Sequence, residues 1–285
     1  MLLRESAGEV EILVIRRHEN LAFMGGMWVF PGGTLSPADT SPAALARIPE
    51  RARAHCPRFL SIQGEALDPV QCLGLAVAAY RETFEETGVL LATSSDGRQC
   101  EGEALARAQT QRKAVTAESE RFAAMLEADN LLLDIDRLTY WAHWITPSTV
   151  PRRFDTRFFA IAVPPGQTAE IDTIEAVAHA WMRPAALIEA ARDGTMPVSQ
   201  PTLYNLLELD ASLRQHGSLA AMLAAEAQRQ IVPILPKVVS ATAESRSIVM
   251  PWDAEYQAIP GEGTPAGMTY PKRLSSLPSR TTQKL

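Results

Sequence analysis

The sequence predicts a mixed domain, α+β or α/β, without the regular strand–helix alternation of a doubly wound sheet. Two observations lead there. Short apolar runs with strand character occur both before and after a long helical stretch. Pro and Gly clusters punctuate them at intervals too short for a helical bundle. With 285 residues, 46% of them hydrophobic, the chain can fill one sizeable core.

Taken in order, Ile12-Leu13-Val14-Ile15 within Glu11–Arg16 reads as a buried strand. Leu2-Leu3, just before the turn at Ala7-Gly8, reads either as a short edge strand or as the end of a strand that begins upstream. Met27–Phe30 is strand-like and runs into the turn signal Pro31-Gly32-Gly33. Ser41-Pro42 pairs an N-cap with proline at the first helical position, so a helix is expected to about Ala54. A loop rich in Pro and Gly follows, then a helix over roughly Leu73–Thr87, which Gly88 stops as a left-handed cap. Residues 102–129 predict one or two exposed helices. Leu131–Ile135, Thr139–Ile145, Arg157–Val163 and Glu175–Met182 predict strands, and Pro184–Arg192 and Gln200–Gln215 helices. From about Ile231, seven prolines forbid long helices. The expected organisation is a domain over 1–215 and a partly irregular or disordered extension over 216–285.

Composition excludes some functions. A formal net charge of −6 disfavours a partner that is a nucleic-acid polymer or an anionic membrane. It leaves a phosphate substrate open, because a bound divalent cation reverses the local sign. Cys56, Cys72 and Cys100 have no metal-ligand spacing and read as reduced thiols of a cytoplasmic protein. No apolar run approaches a membrane span, and the start lacks the pattern of a signal peptide. Gln283-Lys284-Leu285 resembles a peroxisomal tripeptide without its small first residue. A homodimer is one assembly open to the chain.

The chemistry concentrates in Arg81-Glu82-Thr83-Phe84-Glu85-Glu86-Thr87-Gly88-Val89. On a helix, Glu82, Glu85 and Glu86 stack on one face within a turn. Three adjacent like charges repel unless a cation sits among them, and oxygen-only ligands suit Mg²⁺ or Mn²⁺ rather than zinc. Taken alone, the same spacing describes an exposed acidic helix face, which is the commoner case. Arg81 lies one turn before Glu85 and is placed to steady the cluster.

This segment resembles the second half of the Nudix box, matching at Arg81, Glu82, Glu85, Glu86, Gly88 and Val89. Thr83 stands where the pattern has an aliphatic residue. The first half resembles Phe30-Pro31-Gly32-Gly33 through Asp39, with Asp39 in place of glutamate. Residues 40–80, 41 in all, separate the halves where the pattern has seven, an insertion of 34. The resemblance covers about Ile12 to Tyr204. It implies a Nudix fold, an α/β/α sandwich around a mixed sheet, with a helical insertion at about 40–72 projecting beside the site.

The resemblance further implies Mg²⁺, with Mn²⁺ as substitute, held by Glu82, Glu85, Glu86 and a carbonyl near Gly32. Asp39 would orient Arg81. Glu85, Glu86 and a late-loop residue, Glu175, are the candidates for the base; Glu170 and Asp172 are rivals of Glu175, and His179 is a weaker alternative. An insertion inside the box resembles the acyl-coenzyme A diphosphatase branch, as does the stretch from Arg16-Arg17 through Gly33 to Asp39. Arg16, Arg152, Arg153 and Arg157 could meet the charge of a diphosphate substrate. The implied reaction is hydrolysis of coenzyme A or acyl-coenzyme A to adenosine bisphosphate and a phosphopantetheine. ADP-ribose, dinucleoside polyphosphates and other nucleotides are alternative substrates. A non-catalytic nucleotide-binding regulatory module is the alternative of another class, disfavoured because all three glutamates are kept. Leu45, Ile48, Phe59 and Leu60 either wall an apolar trough or pack the insertion down.

Overall fold

The computed structural model describes residues 1–21, 23–54, 59–61, 63–150, 152–171, 176–242 and 245–284. Strands β1 (Leu2–Ser6) and β2 (Glu9–Arg17) form a hairpin, and β3 (Trp28–Val29) returns along β2. The helix expected over 41–54 divides into α1 (Pro42–Ala46) and α2 (Glu50–Ala54). Pro49 is the cause: it has no N–H to continue α1, and its carbonyl instead accepts from Ala52 and Arg53 at the start of α2.

The long helix α3 (Pro69–Thr87) begins where the Asp68 side chain accepts from Val70 N and ends at Gly88, whose φ of 69° is left-handed. Next come β4 (Ala92–Thr93), α4 (Gly102–Ala117), α5 (Glu120–Ala128) and β5 (Leu132–Leu133), with β4 and β5 paired in a ribbon. Strands β6 (Thr139–Ile145), β7 (Asp155–Ala162) and β8 (Ala176–Met182) follow, then helices α6 (Pro184–Asp193) and α7 (Gln200–His216).

One mixed sheet organises these elements in the order β3-β2-β1-β7-β6, with β8 also paired to β2. β1 lies parallel to β7, while the other pairs among these strands are antiparallel. Its two faces are both covered. Leu2, Leu13, Tyr140 and Phe159 meet α3, α4 and α5 on one side, whereas Leu3, Ile12, Val14 and Trp141 meet α6 and α7 on the other. Burial on both faces explains why Ile12–Ile15 is a continuous apolar run rather than an alternating one. The layers are those of the expected α/β/α sandwich.

Residues 40–72 differ from the expected projection. Ala44, Ile48, Ala52 and Phe59 are buried in the same core as α3. The Phe59 ring lies 4.6 Å from Tyr140 and 5.6 Å from Phe159, centroid to centroid. Ile48 and Phe59 therefore pack the insertion onto the sheet. Leu45 packs at the edge of that core, and Leu60 lines an open cavity of ≈ 480 Å³ with Ile135, Leu138, Tyr140 and Ile231.

Beyond residue 215 the chain is more ordered than its proline spacing predicts. It forms α8 (Leu219–Glu226), β9 (Pro233–Ile234) and a separate sheet of β10 (Lys237–Ala241), β11 (Ser245–Val249) and β12 (Arg280–Lys284), with the short α9 (Lys272–Ser275) before β12. β9 adds a parallel seventh strand beside β6. Leu219, Met222, Ile234, Ile248 and Leu274 belong to the core under α6 and α7. Arg229 and Arg273 both pair with the buried Glu208 and Glu226, which ties α7, α8 and α9 together. The prolines do keep helices short here, but they leave strands and apolar burial intact. Among the described residues, no helix is long and apolar enough to cross a membrane.

Candidate active site

The site is assembled around Arg81. Its side chain is 4% exposed and uses every guanidinium nitrogen. Nε donates to Asp39 Oδ1 at 2.8 Å and Nη2 to Asp39 Oδ2 at 2.9 Å, a bidentate pair. Nη2 also donates to the Thr34 carbonyl at 2.9 Å. Nη1 reaches Glu82 Oε1 and Glu85 Oε1, each at 3.0 Å. One arginine thus joins the turn after β3 to the last turns of α3, across 41 intervening residues (40–80). Asp39 is fixed in turn: Ser36 N donates to its Oδ2 at 2.8 Å, as part of a capping box on the 3₁₀ turn at Pro37–Thr40. Burial works against the charge on Arg81, but the hydrogen bond to Asp39 and the carboxylates of Glu82 and Asp39 outweigh it and hold its pKa above the ordinary value.

The glutamates are held by the same two segments. Thr34 N donates to Glu82 Oε1 at 3.2 Å, and Gly32 N to Glu86 Oε2 at 2.7 Å. Gly33 is required by close approach, since a Cβ there would stand 2.4 Å from the Glu82 carboxylate. Burial raises the pKa of Glu82 and of Glu85, opposed in each case by Arg81. The last carbonyls of α3 are occupied as well: Arg112 Nε donates to Glu85 O at 2.9 Å, Gly88 N to Phe84 O, and Glu170 N to Thr87 O at 2.8 Å.

Among the described residues, no three carboxylate, histidine or cysteine side chains already converge as a metal cage. Glu82 and Glu85 share the Arg81 guanidinium, and Glu86 takes the Gly32 N–H. The donor set still fits a cation. It offers carboxylate oxygens on one helix face at the negative end of the α3 dipole, where a cation is favoured.

Several other expected site residues make contacts of their own. Glu175 and its rival Asp172 lie outside the described residues, as does Cys56. His179 is exposed on β8, opposite Ile15 of β2. Arg16 bonds Glu19 at 2.8 Å and the Gly26 carbonyl at 3.4 Å. Arg152 is exposed and lies over the Phe23 and Phe154 rings, 5.4 and 5.1 Å from their centroids. Arg153 pairs with Glu262 at 2.8 Å. Arg157 departs from its expected role: its side chain is 5% exposed, pairs with Asp155 at 3.2 Å and donates to the Leu60 carbonyl at 2.9 Å. Its place is under the end of the insertion. Sequence reading missed Thr34, Arg112 and Gln167, all of which act through backbone contacts between segments distant in sequence. No local pattern marks them.

The family model of the NUDT19 Nudix domain matches residues 4–209. Acyl-coenzyme A diphosphatase NUDT19 of Xenopus laevis is 24% identical over 233 residues, 72% of this chain and 61% of that protein. Its Homo sapiens counterpart is 27% identical over 274 residues, 86% of this chain and 72% of that protein. The chain thus spans about three-fifths of the length of the Xenopus relative. A crystal structure of a Nudix hydrolase from Alicyclobacillus acidocaldarius superposes with a TM-score of 0.60 at 28% identity, covering 74% of this chain and 88% of that one.

Proposed function

The chain belongs to the Nudix family, and from that premise we propose that it is a divalent-metal-dependent diphosphatase acting on coenzyme A or acyl-coenzyme A. The observation that carries the reading is Arg81, which binds Asp39 and Thr34 of one half of the split box and Glu82 and Glu85 of the other. An exposed acidic helix face has no use for a buried arginine that joins two distant segments. The substrate assignment is supported by the relatives, named acyl-coenzyme A diphosphatases, and by the insertion inside the box.

In this reading Glu82, Glu85 and Glu86 hold the cation, Mg²⁺ or Mn²⁺, with the Gly32 carbonyl as a further ligand. The chemistry supplied by a bound cation is neutralisation of the diphosphate and acidification of nearby water. Arg81, itself fixed by Asp39, orients Glu82 and Glu85, and the Gly32 N–H orients Glu86. A carboxylate removes the proton from the attacking water; Glu85, Glu86 and Glu175 are the candidates. Arg16, Arg152 and Arg153 would meet substrate charge beyond the reach of the cation. Cleavage of the diphosphate leaves adenosine bisphosphate and a phosphopantetheine, acylated when the substrate is.

The test is the ratio of kcat/KM for coenzyme A to that for ADP-ribose and for diadenosine polyphosphates, at saturating Mg²⁺. A ratio well above one is expected. A ratio well below one removes coenzyme A as substrate and leaves the diphosphatase chemistry standing. The absence of Mg²⁺-dependent turnover of any diphosphate would remove that chemistry too.

A further inference from the structure

The insertion, the turn before β6 and the segment after α8 meet around an open cavity of ≈ 480 Å³, within the size range of small-molecule sites. Its apolar wall is Leu60, Ile135, Leu138, Tyr140 and Ile231, and Ala227, just past α8, lines it as an exposed residue. Each side of the cavity is tied down separately. Arg157 Nη2 donates to the Leu60 carbonyl at 2.9 Å, and the Tyr80 hydroxyl donates to the carbonyl of Asp134, directly before Ile135, at 2.6 Å. Arg229, between Ala227 and Ile231, pairs with Glu208 and Glu226 and donates to the Trp141 carbonyl. One polar atom of the wall is left over. Tyr140 is 8% exposed, and its buried hydroxyl has no hydrogen-bond partner among the described residues. Burial raises its pKa well above the ordinary value; the neighbouring Arg157 opposes the rise but is not placed to form a hydrogen bond with it. The hydroxyl is therefore a protonated donor that lacks an acceptor, an exception among buried polar groups.

We propose that this cavity receives the acyl chain of an acyl-coenzyme A, and that the Tyr140 hydroxyl donates to a carbonyl oxygen of the acyl-pantetheine arm. The inference rests on the substrate reading above and adds the residues that recognise the chain. The wall chemistry selects the ligand. Its large apolar and aromatic side chains suit an alkyl chain. A free carboxylate finds no unpaired cation in the lining, because Arg229 is taken up by Glu208 and Glu226 and Asp136 adds negative charge. A neutral carbonyl needs only one donor, which Tyr140 supplies. Tyr80, which fixes the Asp134 edge, directly precedes Arg81, so one wall of the cavity is joined to the helix that carries the box glutamates. The segment after α8 thereby has a task beyond core packing, since it closes one side of a substrate site.

The experiment uses the full chain with Ala227→Trp and Tyr140→Phe. Ala227 is exposed and has helical dihedrals, so a Trp there fills the cavity from the solvent side without entering the core. The first readout is binding of octanoyl-pantetheine, which carries the chain and its carbonyls but no diphosphate, against octanoate, by NMR titration in chelator. At about 4-fold per buried methylene, exclusion of two or more should weaken octanoyl-pantetheine at least about 10-fold in Ala227→Trp. Tyr140→Phe should weaken it about 5-fold, the contribution of one hydrogen bond, with Tm no lower than wild type because the hydroxyl has no protein partner. Octanoate should bind wild type at least about 10-fold more weakly than octanoyl-pantetheine. The second readout is turnover with Mg²⁺: KM for octanoyl-coenzyme A should rise in Ala227→Trp by the same factor as the binding loss, while kcat/KM for coenzyme A, which has no acyl chain, changes by less than about 2-fold. Equal binding of octanoyl-pantetheine by wild type and Ala227→Trp would overturn the proposal. So would octanoate binding as tightly as octanoyl-pantetheine, which would assign the cavity to free fatty acids. If no diphosphate is turned over, the diphosphatase reading fails, and the octanoyl-pantetheine titration still decides what the cavity holds.

Discussion

Replacing Asp39 tests whether the split box is held together by the contacts described. Asp39 is 1% exposed and accepts three hydrogen bonds, two from Arg81 and one from Ser36 N. Breaking a buried ion pair by removing one partner typically costs about 3–5 kcal/mol, because the other charge is stranded. Arg81 would not be wholly stranded, since Nη1 keeps Glu82 and Glu85 and Nη2 keeps Thr34 O. The low end applies, so Asp39→Ala should lose about 3 kcal/mol. At about 2–4 °C per kcal/mol for large domains, Tm should fall by about 6–12 °C. The assay is differential scanning calorimetry in chelator at low salt, which removes any compensation by bound cations. A fall of less than about 2 °C, equivalent to under 1 kcal/mol, would mean that the Arg81–Asp39 pair does not close the two halves.

Three further outcomes are expected. Gly33→Ala places a methyl where the Glu82 carboxylate stands; the carboxylate can swing away, so Tm should hardly change. A misplacement of that size should lower kcat/KM about 100-fold, and unchanged kcat/KM would show that Glu82 has no role. Phe59→Ala should cost about 3–5 kcal/mol in urea unfolding, because the ring fills core between Tyr140 and Phe159; a loss below 1 kcal/mol would mean that the insertion does not depend on this anchor. Acid stability should follow His143, whose pKa burial lowers although Asp155 opposes the shift, and Asp155 itself, whose pKa is lowered by His143 and Arg157 against burial. A folded-state pKa below the unfolded value gives stability that is present above the unfolded pKa and lost as pH falls. Tm should therefore decline from about pH 6.5 downward as unfolded His143 takes up protons. His143→Gln should flatten the upper part of that decline, and an identical slope in the variant would contradict the assignment.

The parts of the molecule legible in the sequence are those written in local patterns. The buried run at Ile12–Ile15, the helix stop at Gly88, and the i, i+3, i+4 glutamates each depend on neighbours a few residues away, whereas the start of α3 at Asp68-Pro69 was read as loop. Asp39 was legible as the partner of Arg81 only through its offset from Gly33. The order beyond residue 215 was hidden, because single apolar residues such as Leu219, Ile234 and Ile248 become core only when the sheet is already formed. Arg157 looked like a phosphate ligand because sequence cannot show that Leu60, 97 residues away, would present its carbonyl. Gln167 was invisible for the same reason: its partners are backbone groups of Leu90 and Cys100, and a backbone carries no sequence signature.

The most direct test of the account is turnover by Glu85→Gln. Glu85 is 8% exposed, bonds Arg81 through Oε1 and stands on the helix face with Glu82 and Glu86. The substitution keeps the shape and a hydrogen-bonding oxygen while removing the charge that a cation needs. With coenzyme A and Mg²⁺, kcat/KM should fall at least about 100-fold relative to wild type, with Tm and circular dichroism preserved. Wild-type kcat/KM in a folded Glu85→Gln protein would contradict the placement of the metal chemistry on α3.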